Sequence, residues 1–374
     1  MFVQEPEYAC YTPLPDGNLT FYTLFEPQLT YCTGVVHIPY SETPEAPAQP
    51  LFYKIKKTEV FYMQHAAWHC KPSQLTAEMS KAAYIKALQH LKTHIQRGDI
   101  YEINFCQKFI AQTVITHPLH LFFDLCNAFK MPYAFLLKHR NTYLFCLSPE
   151  LFLKKSGTTL ISKPIKGTAP RHANARMDAD AKQQLQLSEK ERAEHVMAVD
   201  VARHDLAQIA QRDSVTVPVL FGIESFSNVH QLVSTVQCQL ASTATWREII
   251  SACFPMASMT GAPKQKAIEL INRYETFKRN WYSGALGLIT EAHDFELAVV
   301  IRSMFYNHTT HILELCAGGA ITQYSDPQQE YEVKIKSTKQ LKKRYKQIVW
   351  FLWPSLNKEP LATEMPKDQQ TRVL

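Results

Sequence analysis

Lys166 stands in the run Lys163-Pro164-Ile165-Lys166-Gly167-Thr168-Ala169-Pro170-Arg171. The proline fixes the approaching backbone and the glycine lets a ligand come close, so the amine is held at a defined place. A lysine presented this way can serve as a nucleophile, although a lysine on a tight surface turn is the commoner case. Sixteen residues upstream, Ser148-Pro149-Glu150 offers a carboxylate at the end of an expected strand. Glu191 and Glu194 share a face if the run from Ser188 to Asp200 is helical. Buried together they would repel, which a divalent cation would relieve; first-turn acids complementing a helix dipole are the simpler reading of the spacing alone. Ser258-Met259-Thr260-Gly261-Ala262-Pro263-Lys264 precedes another expected helix, whose free N–H groups could cradle a carboxylate, a weak signal by itself. Arg302 closes the apolar stretch Leu297-Ala298-Val299-Val300-Ile301, where a guanidinium is costly unless it meets a carboxylate.

The elements that must position these groups alternate between helix and hairpin patterns. Residues 80 to 97 carry Ile85, Leu88, Leu91 and Ile95 at helical spacing and stop at Gly98. From Tyr101 the apolar period switches to two (Tyr101, Ile103, Phe105), and Pro118 opens a helix with Phe122, Leu125 and Phe129 on one face. Strands are expected around Tyr133 to Leu137, Thr142 to Leu147, Tyr282 to Thr290, Phe295 to Tyr306 and His311 to Leu315. Ser188 with Glu191 reads as a capping box for a helix running toward Asp213. Sheet faces covered by helices imply an α+β fold.

Composition excludes several classes. With 374 residues, 46% hydrophobic and 20% charged, the chain can bury a large core as one unit or two fused ones. Its nine cysteines are spread singly, which argues against a zinc knuckle or a disulfide framework. Neither a leader pattern nor a membrane-spanning apolar run is visible, so a cytosolic location is expected, with no membrane partner. The net charge of +6 is uneven, with Lys336, Lys339, Lys342, Lys343, Arg344 and Lys346 at helical spacing. A solvated helix face is expected there and no nucleic-acid partner.

Taken in order, several segments resemble the chorismate-utilising enzymes, in their aminodeoxychorismate synthase component I branch. They are Gly98-Asp99-Ile100-Tyr101-Glu102-Ile103-Asn104, Ser148-Pro149-Glu150, Pro164-Ile165-Lys166-Gly167-Thr168, Glu194-His195-Val196-Met197-Ala198-Val199-Asp200, Thr260-Gly261-Ala262-Pro263-Lys264, Tyr282-Ser283-Gly284-Ala285-Leu286-Gly287 and Ala317-Gly318-Gly319. The resemblance implies the anthranilate synthase component I-like fold, antiparallel sheets packed face to face with helices outside. It implies a divergent segment over 1–75, a catalytic domain over 76–350 and a polar tail over 351–374. Lysine at 166 resembles the aminodeoxychorismate enzymes, where anthranilate synthases typically carry alanine, and no tryptophan-sensing motif is found near the start. By this resemblance Lys166 adds to the chorismate ring as a hydroxyl leaves, Glu150 protonates that hydroxyl, and ammonia then displaces the lysine. His230 would stand near the ring, with a core histidine as its rival reading. Thr168, Gly167, Tyr282, Arg302, Ser258, Gly261 and the backbone N–H groups of Gly318, Gly319 and Ala320 would hold the substrate. Magnesium is the implied cofactor, with Glu194 the best-matched ligand and Glu191 close by.

The chain departs from that pattern at Val333 and Ser337, where the family would place a metal-binding glutamate and a lysine. Glu332 and Lys336 keep the four-residue separation, so a one-residue slip could restore both; the alternative is a weaker site completed by water and Glu330. No glutaminase sequence is visible, so ammonia from a separate glutaminase subunit is expected, and release of the amino intermediate without a fused lyase is expected as well. An anthranilate synthase subunit and a catalytically weakened chorismate-binding homologue remain the alternatives.

Overall fold

The computed structural model describes residues 6–15, 18–40, 49–61, 70, 73, 75–226 and 229–332. Val333, Ser337, the basic run from Lys336 to Lys346 and the tail expected over 351–374 lie outside the described residues. Two antiparallel sheets make the frame, one of ten strands and one of nine. The core between them joins Tyr8, Cys10, Phe135, Leu144 and Cys146 of the first sheet to Val35, Tyr53, Leu286 and Ala298 of the second. Helices cover the outer faces because each presents one apolar stripe. Pro118–Phe129, with proline at its first turn and Phe122, Leu125 and Phe129 buried, packs on the first sheet. Glu189–Ala207 and Trp246–Cys253 pack on the second. Lys81–Gln96 and Lys264–Tyr274 close over Ile103, Phe105 and Ile321. The expected α+β sandwich is therefore the one observed, and among the described residues no helix is long and apolar enough to cross a membrane.

The N-terminal segment is woven into both sheets. Tyr8–Pro13 pairs with Tyr133–His139 in the first, and Gly34–Ile38 pairs with Ala285–Ile289 in the second. Two crossings decide where chemistry can occur. The chain leaves the first sheet at the end of Thr142–Ser148 and enters the second as Leu151–Ser156; it returns between Phe295–Val299 and Ser303–Asn307. The expected single strand from Phe295 to Tyr306 is thus two strands in different sheets. Arg302, with φ of 49°, occupies the left-handed region that interrupts it. The crossings lie side by side, tied by the Val299 N–H donating to the Glu150 carbonyl at 3.1 Å.

Candidate active site

Glu150 and Arg302 occupy these two crossings. The Glu150 carboxyl is buried, and burial pushes its pKa up to about 7. The Ser258 hydroxyl, the Lys166 ammonium, the Ile165 N–H and the Arg302 guanidinium pull the other way. Burial lowers Arg302 to about 9, and the charge of Glu150 opposes the shift.

Lys166 reaches the same place from the strand Ile165–Pro170, whose pairing with Val229–Gln239 is irregular between Ile165 and Thr168. That bulge turns the lysine inward, and its Nζ donates to Glu102 Oε1, with side chains 9% and 4% exposed. Gly167 has φ of 82°, and a Cβ there would stand 2.8 Å from Glu191 Oε2 and 3.2 Å from Leu185 Cδ1. Only glycine lets the helix Glu189–Ala207 come this close to the strand. Ser188 caps that helix by accepting from Glu191 N–H, and the helix ends at Ala207, short of Asp213. Glu191 and Glu194 share its first turns beside Lys166. Burial raises the Glu194 pKa, and the charges of Glu102 and Glu191 add to the effect against Lys190 and Lys166. His195, one residue on, is buried and bonds Ser234 Oγ through Nε2 at 2.6 Å; burial lowers its pKa to about 4, so it is neutral beside the lysine.

Other expected residues fall at varied distances from this centre. Ser258 is buried in the short helix Ala257–Met259 and faces Glu150, whereas Thr168 is exposed beyond the bulge. Gly261, with φ of 146°, brings Gly261–Ala262 against Glu102 and Ile103; a Cβ there would lie 2.2 Å from the Glu102 carbonyl. The amides of Asn104 and Cys106 donate to Thr260 O and Glu275 Oε1, away from the strand Ile312–Ile321. Their partners Ala320 and Gly318 therefore turn their N–H groups to the opposite edge, where pairing with Ser303–Asn307 stops at Leu315. Gly319, opposite Phe105, commits its N–H to the ladder, which removes it from the expected cradle.

The other expected residues have partners of their own. His230 is buried with both ring nitrogens engaged, by Ser225 Oγ at 2.7 Å and Asp178 Oδ1 at 3.1 Å, and Asp178 is held by Arg171. Its ring thus braces that cluster, on the strand paired with Ile165–Pro170. Tyr282 is 4% exposed in the core, and its charged and thiol neighbours are Arg279, Glu275, Cys106 and Cys316. Glu330 and Glu332 lie against the helix Lys81–Gln96, near Tyr84 and with Glu332 Oε1 3.9 Å from Lys81 Nζ, so they do not join Glu191 and Glu194. Among the described residues no three acidic, histidine or cysteine side chains gather as a metal cage. The pair Glu191 and Glu194 still fits magnesium, which binds through one or two carboxylates and completes its shell with water and substrate.

Sequence reasoning missed Glu102 as the partner of Lys166. Its signal was present: residues 102 to 109 are buried on both faces, and a carboxylate on such a strand needs a partner. It also missed the Arg279–Glu275 pair, 2.6 Å apart and 1% and 2% exposed. Arg279 donates to the Met259 and Asn104 carbonyls as well, pinning the loop before Lys264–Tyr274 to the strand that carries Glu102.

The chorismate binding enzyme family matches residues 13–342. The chain belongs to the chorismate binding enzymes. Within this family it is 34% identical over 269 residues to aminodeoxychorismate synthase component 1 of Klebsiella aerogenes, covering 71% of this chain and 58% of that one. It is equally 34% identical over 272 residues to anthranilate synthase component 1 of Saccharolobus solfataricus, covering 72% and 64%. The chain thus spans less than two thirds of the length of either relative. The fold matches MenF, the menaquinone-specific isochorismate synthase of Escherichia coli, with a TM-score of 0.74 at 15% identity over 93% of this chain and 89% of that one.

Proposed function

We propose that this chain aminates chorismate to 4-amino-4-deoxychorismate, the para-aminobenzoate branch, through a covalent bond to Lys166. The observation that carries the reading is a buried amine set among two carboxyls. Glu102 accepts the amine's hydrogen bond and is placed to receive its proton, while Glu150, with a pKa of about 7, can give one. The amine nitrogen bonds to the ring as the hydroxyl departs with the Glu150 proton as water; ammonia then bonds to the ring, the lysine leaves with its electron pair, and Glu150 recovers a proton. Two lower barriers replace one difficult displacement. Arg302 and the N–H groups of Gly318 and Ala320 would meet substrate carboxylates. Magnesium held by Glu194 and Glu191 would supply positive charge to a substrate carboxylate. The name component 1 on the Klebsiella relative supports a separate partner subunit, which we take to be a glutaminase supplying ammonia.

Incubation of the protein with chorismate, magnesium and ammonium, followed by mass spectrometry of the products, tests the reading. Aminodeoxychorismate is expected, anthranilate would move the chain to the other branch, and unchanged chorismate would mark a binder without turnover. Without ammonium, intact-protein mass should show an adduct that Lys166→Ala abolishes.

A further inference from the structure

A cavity of about 20 Å³ lies behind Glu150, between the helix Glu189–Ala207, the strand Leu151–Ser156 and the segment 253–258. It has room for one molecule the size of water or ammonia. Phe152, Leu153, Ala202, Leu206 and Met256 make its walls largely apolar. Its polar lining includes Glu150, Ser258 and Asp205. Ser258, 6% exposed, directs its hydroxyl toward the Glu150 carboxyl at the cavity wall. Asp205 is held by Lys264, Oδ2 to Nζ 2.5 Å, with side chains 7% and 16% exposed.

We infer that this cavity is where ammonia waits before it attacks the ring. The inference rests on the amination reading and adds the route by which the second substrate arrives. Ammonia must bond to the carbon that lost its hydroxyl, the place served by Glu150. As the new C–N bond forms, the bond to Lys166 breaks with its electrons returning to the lysine nitrogen, and one proton of the new ring ammonium passes to the Glu150 carboxylate. A molecule held beside Glu150 and Ser258 is placed for both events. The apolar walls favour the neutral molecule, because ammonium would lose its hydration there and the Asp205 carboxylate is already matched by Lys264.

Filling the cavity tests this. Ala202→Leu and Leu206→Phe add bulk from the helix without touching Lys166 or Glu150. For each, adduct formation with chorismate alone is compared with steady-state amination over a range of ammonium chloride at pH 8.5. The expected result is adduct formation within twofold of wild type, with the apparent KM for ammonia raised at least tenfold in one or both variants. Wild-type ammonia dependence in folded variants that form the adduct would overturn the role of the cavity and leave the amination reading standing. If neither variant separates adduct formation from amination the inference falls, and absence of adduct from the wild-type protein would overturn the reading and the inference together.

Discussion

Replacing Glu150 by glutamine should stabilise the protein while abolishing its chemistry. The carboxyl is 5% exposed and titrates near about 7 in place of the usual 4.5. At about 1.4 kcal/mol per pKa unit, that displacement is a native-state penalty of roughly 3 kcal/mol when the group is ionised. The sign follows from which state releases its proton first. Below pH 4.5 the carboxyl is neutral in both folded and unfolded chains and contributes nothing. Between 4.5 and 7 the unfolded chain ionises while the folded one holds its proton, so stability falls as pH rises; above 7 the full penalty is present. Glutamine has nearly the same shape and no charge at any pH. The favourable charges of Lys166 and Arg302 are already contained in that net displacement, so the expected gain at pH 8 is roughly 3 kcal/mol. Urea unfolding of both proteins at several values between pH 4.5 and 8.5 should show a gap that is absent at the acid end and grows to that plateau. The same variant should form no Lys166 adduct, since an amide cannot protonate the departing hydroxyl. A gap of equal size at pH 5 and pH 8, or a variant less stable than its parent at pH 8, would refute the assignment of Glu150 as a desolvated acid.

Other sites give sharper tests of individual contacts. Gly167→Ala places a methyl against Glu191 in a left-handed backbone; a loss of roughly 1–3 kcal/mol in urea unfolding and a severe fall in adduct formation are expected. Arg279→Met leaves Glu275 buried without its counter-charge, and a loss of roughly 3–5 kcal/mol is expected, with Glu275→Gln similarly damaging. His37 is buried beside Trp281 with its pKa lowered to about 3 by burial, assisted by His139, whereas the unfolded chain binds a proton near 6.5. Stability should therefore fall as pH drops from 6.5 toward 3, and His37→Phe should flatten that part of the profile in thermal melts.

The elements legible in the sequence are those whose local pattern agrees with their tertiary role. The helices Lys81–Gln96 and Pro118–Phe129 each bury a stripe set by 3.6-residue spacing, and Ser80 and Pro118 mark their starts. Lys166, Glu150 and Arg302 were legible as charged residues where apolar or restrained backbone makes charge expensive. The strand change at Arg302 was hidden, because Leu297 to Ile301 runs into Met304, Phe305 and Tyr306 without a glycine or proline to announce the turn. The bond between Lys166 and Glu102 spans 64 residues of sequence and depends on how two sheets meet, which no local period encodes. Pairing Glu330 or Glu332 with Glu194 failed for a related reason. Four-residue spacing fixes neighbours on one helix and says nothing about which helix that face will meet.

The residues with the strongest claim to chemistry share one structural circumstance: each stands where β pairing is interrupted. Glu150 follows the last residue of one sheet's strand, Arg302 sits in a left-handed link between sheets, and Lys166 lies within a bulge. In a regular ladder, side chains alternate between core and outer face, and a charge on either buried face would have apolar neighbours alone. An interruption releases a side chain from that alternation and lets it meet another released from a different strand. Because the two crossings run side by side, Glu150 and Arg302 are released into the same space, and the bulge at Lys166 adds a third charge with Glu102 as counterpart. The penalty of burying each charge is offset in part by the next. The centre is made by sheet crossings, whereas Glu330 and Glu332 lie against the helix Lys81–Gln96.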